Sequence, residues 1–190
     1  MTETAEAPLL TRLAAAGAGF RLAPPPGSLA ALVGQAEPLA GWSSVRGYAE
    51  LPGVLSCEVH LPSLDGDFAA NSVQTAFVFD YLTDTEDILN TAADLANLGS
   101  ADVAHEPLAR ISDRVRRTTY FGTYPHDYHQ LCCWIDYYLI DSGTESGGYL
   151  LQHAKTATET QWPTVEADFS RGTARVETFI ETAVSRDRSR

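Results

Sequence analysis

The run YPHDYHQLCCWIDYYLID, Tyr124 to Asp141, constrains the fold more than any other segment. Cys, Trp, Ile, Tyr, Tyr, Leu and Ile in near succession favour a pleated, buried environment, so residues 126–140 are predicted to form a strand. Alternation then divides the run into two faces. His129, Leu131, Cys133, Ile135, Tyr137 and Leu139 make a core face. His126, Tyr128, Gln130, Cys132, Trp134, Asp136 and Tyr138 make the other, aromatic with polar groups at intervals. That is the composition of a ligand-cavity wall.

A helix through the same residues is the alternative. At 100° per residue, His126, His129, Cys133 and Asp136 would fall within an arc of about 80°. Their N, N, S and O donors suit Zn²⁺ or Fe²⁺. Such a helix would turn Leu131, Ile135, Tyr138 and Leu139 to the core and those four donors to solvent. Cys132-Cys133 also lacks the C-x₂-C spacing of structural zinc. In a strand the two cysteines face opposite ways and cannot share a site, so neither a metal nor another cofactor is expected.

The same period recurs earlier in the chain. In GVLSCEVHLP, Leu55, Cys57, Val59 and Leu61 alternate with Ser56, Glu58 and His60, and SVQTAFVFDYL repeats the strand pattern,. Another strand is expected around Ser44 to Glu50, and LDGD (64–67) reads as a turn. ARISDRVRRTTYFGTY, read as a strand, puts Ile111, Val115, Thr119 and Phe121 on one side and Arg110, Arg114, Arg116 and Tyr120 on the other. Helical signals stand at both ends. APLLTRLAAAGAGF ends at glycines, PPPGSLAALVGQA predicts a second short helix, and TARVETFIETAVSR spaces Val176, Phe179, Ile180 and Val184 helically. A long internal helix is predicted from Thr83, where Glu86 completes a capping box, to Gly99. The expected architecture is α+β: one domain over 1–190, a mainly antiparallel sheet with a long internal helix and helices at both ends. Residues 1–6 and 186–190 are expected to fray.

Charge narrows the partners. The formal charge is −12, and residues 47–109 hold eleven acids and no Lys or Arg. Arg110, Arg114, Arg116 and Arg117 follow at once. Nucleic acid is disfavoured, since phosphate contacts need a longer basic stripe. An acidic face for a basic protein partner is one reading, and a solvated face neutralised by the arginines is the other. The cationic side chains are twelve arginines and Lys155, so any Schiff-base chemistry would have to use Lys155. No P-loop motif occurs, and no stretch approaches the ~18 apolar residues of a membrane span. Three cysteines do not make a disulfide framework. The N-terminal MTETAEAPLL has acids where a secretory leader would carry Lys or Arg, so a cytoplasmic location is expected.

The leading functional expectation is a small enzyme or ligand-binding domain with an aromatic pocket. His126, His129 and Asp136 are the candidates for proton transfer, of the cyclase, isomerase or dehydratase kind. Tyr128, Gln130, Trp134 and Tyr138 would line the pocket, and Arg114 and Arg116 would orient an acidic group of the substrate. The rival is a non-enzymatic acidic protein, an inhibitor or immunity-type antagonist that captures a basic partner. It predicts Asp65, Asp67, Asp84 and Asp87 on one continuous surface.

Overall fold

The computed structural model describes residues 9–15, 21–22, 38–45, 53–65, 68–80, 85–90, 94–100, 102–141 and 147–187. Helix α1 (Leu9–Ala15) and the short strands β1 (Arg21–Leu22) and β2 (Trp42–Ser44) precede a long hairpin, β3 (Val54–Asp65) and β4 (Phe68–Phe79). Two short helices follow, α2 (Thr85–Asn90) and α3 (Asp94–Asn97). A meander of β5 (Val103–Ser112), β6 (Val115–His126), β7 (His129–Asp141) and β8 (Gly148–Thr158) leads into α4 (Trp162–Asp187). Every pairing is antiparallel, in the order β2-β3-β4-β8-β7-β6-β5, and β1 pairs with β4.

The α+β class and the antiparallel sheet agree with the sequence, and so does the strand reading of 126–140. β7 is buried on both faces because the sheet has helices on both sides. Cys133, Ile135, Tyr137 and Leu139 pack with Leu9, Leu13, Leu89 and Leu95 of the small helices. Tyr138 and Ile140, on the opposite side, pack against Val176, Ile180 and Val184 of α4. Strands covered on both faces read as near-continuous apolar runs, as this one does.

The long internal helix is not what forms. Among the described residues, its segment gives only the short α2 and α3. Their polar side chains are tied to other elements: Asn90 Oδ1 accepts the Leu108 N–H at 2.7 Å, and the Asp94 carboxylate accepts that of Leu9 at 3.2 Å. The long helix is instead α4, 26 residues, or about 39 Å at 1.5 Å per residue,. It begins eleven residues before the expected TARVETF segment, at Trp162-Pro163, a start that suits proline because the first N–H groups of a helix need no helical partner,. The apolar stripe Val165, Phe169, Val176, Ile180 and Val184 then spans the sheet.

The capping residue Thr83, the first-turn Asp84, the PPPGSLAALVGQA helix and the tails 1–6 and 188–190 lie outside the described residues, as does most of the strand expected at 44–50. Among the described residues, no helix is long and apolar enough to cross a membrane.

Candidate functional site

On the face of the sheet beneath α4, strand register aligns two rows of side chains. Glu106, Thr119, Asp136, His153, Gln74 and Ser56 stand side by side along one row. Ala104, Phe121, Trp134, Lys155, Ser72 and Glu58 form the next. The two rows are polar at their centre and aromatic towards β5, and α4 lies along them.

At the centre the rows are closed. The Asp136 carboxylate, with no exposed surface, accepts four hydrogen bonds. Thr119 Oγ1 (2.7 Å) and Trp134 Nε1 (2.9 Å) donate to Oδ1. Lys155 Nζ (2.5 Å) and Thr173 Oγ1 (2.9 Å) donate to Oδ2. Burial works against the carboxylate, but Lys155 and these hydrogen bonds outweigh it and hold the carboxyl below its ordinary value,. Burial also draws the Lys155 ammonium below its usual value, with Asp136 opposing. The ammonium lies 4.0 Å from the Trp134 ring centroid, within cation–π range,.

Beside this cluster, Ser72 Oγ and His153 Nε2 lie 2.8 Å apart, the spacing of a nucleophile and its base,. The adjoining cavity measures only about 10 Å³, room for roughly one water, so the pair cannot admit a substrate,. Burial, and next Lys155, push the His153 ring well below its ordinary value, which keeps it neutral at neutral pH.

Towards β5 the rows open into a cleft of about 300 Å³. Ala104, His105, Glu106, Thr119, Phe121 and Trp134 line it from the sheet, and Trp162 and Glu166 from the first turns of α4. Trp162 meets Phe121 edge to face, ring centroids 5.1 Å apart at 61°. Thr119 and Trp134 belong to both places: they wall the cleft and donate to Asp136. The buried Asp136–Lys155 pair therefore fixes the orientation of the Trp134 wall. His105 is stacked on Tyr120 at 4.3 Å, with Nε2 2.9 Å from Thr118 Oγ1, and burial lowers its pKa.

Of the residues singled out from sequence, Trp134 alone lines the cleft. His126 and Tyr128 are exposed at the β6–β7 hairpin tip, where Asp127 takes a positive φ of 51°. Asparagine and aspartate adopt that conformation more readily than most residues, so it is a turn feature. Gln130 is exposed, and the half-buried His129 ring lies 6.0 Å from Phe68. Asp136 is enclosed, so the three side chains considered for proton transfer do not converge. Tyr138 is buried beneath α4. Arg114 Nε donates to the Asp141 carbonyl at 2.8 Å, and Arg116 stands beside Leu139 on the other face of the sheet. Arg117 is the arginine on the α4 side, paired with Glu177 at 2.6 Å and Glu106 at 3.5 Å.

The cleft residues that sequence reasoning passed over are Glu106, Phe121, Trp162 and Glu166. Period 2 placed Thr119 and Phe121 on one face, and Trp162 before Pro163 marked a helix start, but nothing local joins the two segments. Of the acids, Glu58 is buried on Arg175 at 3.1 Å and Asp94 is tied to Leu9, so part of the run of eleven faces inward. Asp67 and Asp84 lie outside the described residues. The three cysteines are free and buried, and burial pushes the Cys133 thiol up to about 11.

No family model matches the chain, and no curated protein does. Among solved structures it is similar to LpqN of Mycobacterium tuberculosis, a protein involved in cell envelope biogenesis. The TM-score is 0.54 at 12% identity, covering 84% of this chain and 80% of LpqN. The Saccharomyces cerevisiae Ran-binding protein Mog1p superposes with a TM-score of 0.42 at 10% identity, covering 89% of each chain. At such identities the likeness to LpqN is one of fold.

Proposed function

We propose that the chain is a binding domain for a small organic ligand, seated in the cleft between the β5–β6–β7 end of the sheet and the start of α4. The observation that carries this reading is an open cleft of about 300 Å³ walled by Phe121, Trp134 and Trp162. Its volume is at the lower end of ligand sites, and an apolar wall with a few polar groups is their usual composition. The wall is also preorganised. Asp136 holds the Trp134 indole, so little side-chain freedom remains to be lost on binding,. Binding is favoured over proton-transfer catalysis because His126, His129 and Asp136 are held apart. Capture of a basic partner is not favoured, because Glu58 and Asp94 face inward.

Ligand-observed NMR with a panel of small aromatic fragments tests the reading. Hits should compete with one another, vanish in Trp162→Ala and persist in the hairpin-tip variant His126→Ala/His129→Ala. Hits that survive Trp162→Ala but disappear with the hairpin tip would move the site to the histidines. A panel with no hits would end the proposal.

A further inference from the structure

We infer that the cleft selects organic cations, with an ammonium group held against the aromatic wall that Trp162 and Phe121 form and Glu166 as its counter-charge. The inference rests on the binding reading above and adds the charge of the ligand to it. Two observations meet here. The first is aromatic: Trp162 and Phe121 stand at 61° with centroids 5.1 Å apart, a corner of π surface open to the cleft. Ring faces attract cations, and more strongly where water is partly excluded. The neighbouring Trp134 already has an ammonium, that of Lys155, against its ring. A ligand cation is therefore directed to the other two rings.

The second observation is the sign of the lining. Among the described residues, Glu106 and Glu166 reach the cleft and no Lys or Arg does. His105 turns its ring to the other face of the sheet, stacked on Tyr120 and bonded to Thr118, so it brings no positive charge to the cleft. Glu106 is shared with Arg117 at 3.5 Å, whereas Glu166 has no ion pair among the described residues. Trp162 and Glu166 are four residues apart on α4, so they rise from the same side of the helix,. An anion would meet the uncompensated Glu166 carboxylate here, and a neutral ligand would leave it unused.

Calorimetry with three probes of similar size separates the cases: benzyltrimethylammonium, benzyl alcohol and benzoate. The ammonium should bind roughly tenfold more tightly than the alcohol, about 1.4 kcal/mol, with benzoate weakest. Glu166 is exposed, so Glu166→Gln should fold normally, and it should narrow the ammonium-to-alcohol ratio about threefold or more, since the lost counter-charge acts on the cation alone,. Equal binding of ammonium and alcohol, both lost in Trp162→Ala, overturns cation selectivity and leaves the binding reading standing. Tightest binding by benzoate overturns it as well. If none of the three binds, the inference falls, and the fragment panel decides whether the binding reading falls with it.

Discussion

Lys155 is the chain's one lysine, and it lies without exposed surface between the sheet and α4. Taking an ammonium and a carboxylate out of water costs several kcal/mol per ion, roughly repaid only where geometry is good and the remaining hydrogen bonds are made. Asp136, with four donors, meets that condition. Removing one partner leaves the other charge buried alone. Lys155→Met should therefore lose about 3–5 kcal/mol of stability, measured by urea unfolding. Asp136→Asn/Lys155→Met should recover more than half of that loss, because a neutral amide still accepts from Thr119 and Trp134. A loss in the single variant below about 1 kcal/mol would mean that the pair is not ionised in the folded protein. The sequence marked Lys155 as the sole side-chain amine. It could not mark Asp136 as its partner, since that depends on Trp134 standing beside Lys155 and Asp136 beside His153.

At the scale of elements, the β6–β7 hairpin and α4 divide the work. The strands carry the cleft wall at their middles, while the hairpin tip projects into solvent. His126→Ala and Tyr128→Ala should each change stability by no more than about 0.5 kcal/mol, as surface substitutions do. Phe169 on α4 packs with Trp42 and Trp162 at centroid distances of 5.5 and 5.3 Å. Phe169→Ala should cost about 3–5 kcal/mol, from lost transfer energy and the cavity left behind. It should also loosen Trp162, which thermal denaturation followed by tryptophan emission will detect. If Phe169→Ala is no worse than the tip variants, α4 does not anchor the cleft. β7 was legible from its residues because propensity and alternation agreed there. The internal helix was misread because apolar spacing and a capping box are local signals. They cannot register that Asn90 and Asp94 bond to β5 and α1.

For the molecule as a whole, two effects of acid compete. The formal charge of −12 falls in magnitude as carboxylates protonate, which relieves self-repulsion and stabilises the compact state,. His153 works the other way. Its folded value lies well below the ordinary 6.5, so as pH falls below about 6.5 the unfolded chain takes a proton that the folded one refuses,. The groups facing it explain the refusal: burial first, then Lys155 and Arg175, with Asp136 opposing. Asp136, held below its ordinary 3.8, contributes stability above that value and loses it only in stronger acid,. Between pH 7 and 5 the wild-type Tm should fall, and His153→Gln should flatten the decline. A variant whose Tm declines with the same slope as the wild type refutes the assignment. The sequence by itself determined the long strands, the C-terminal part of α4 and three cysteines left unpaired, because period, propensity and cysteine number are properties of neighbouring residues. It also supplied Trp134 as one wall of the cleft. Tertiary structure decided everything the rows contain. Register across β6, β7 and β8 set Asp136 beside Thr119 and Lys155 beside Trp134, and α4 brought Trp162 and Glu166 over them from 28 and 32 residues beyond Trp134. A strand's alternation fixes which face a side chain takes, but only its hydrogen-bonded neighbours fix what stands next to it.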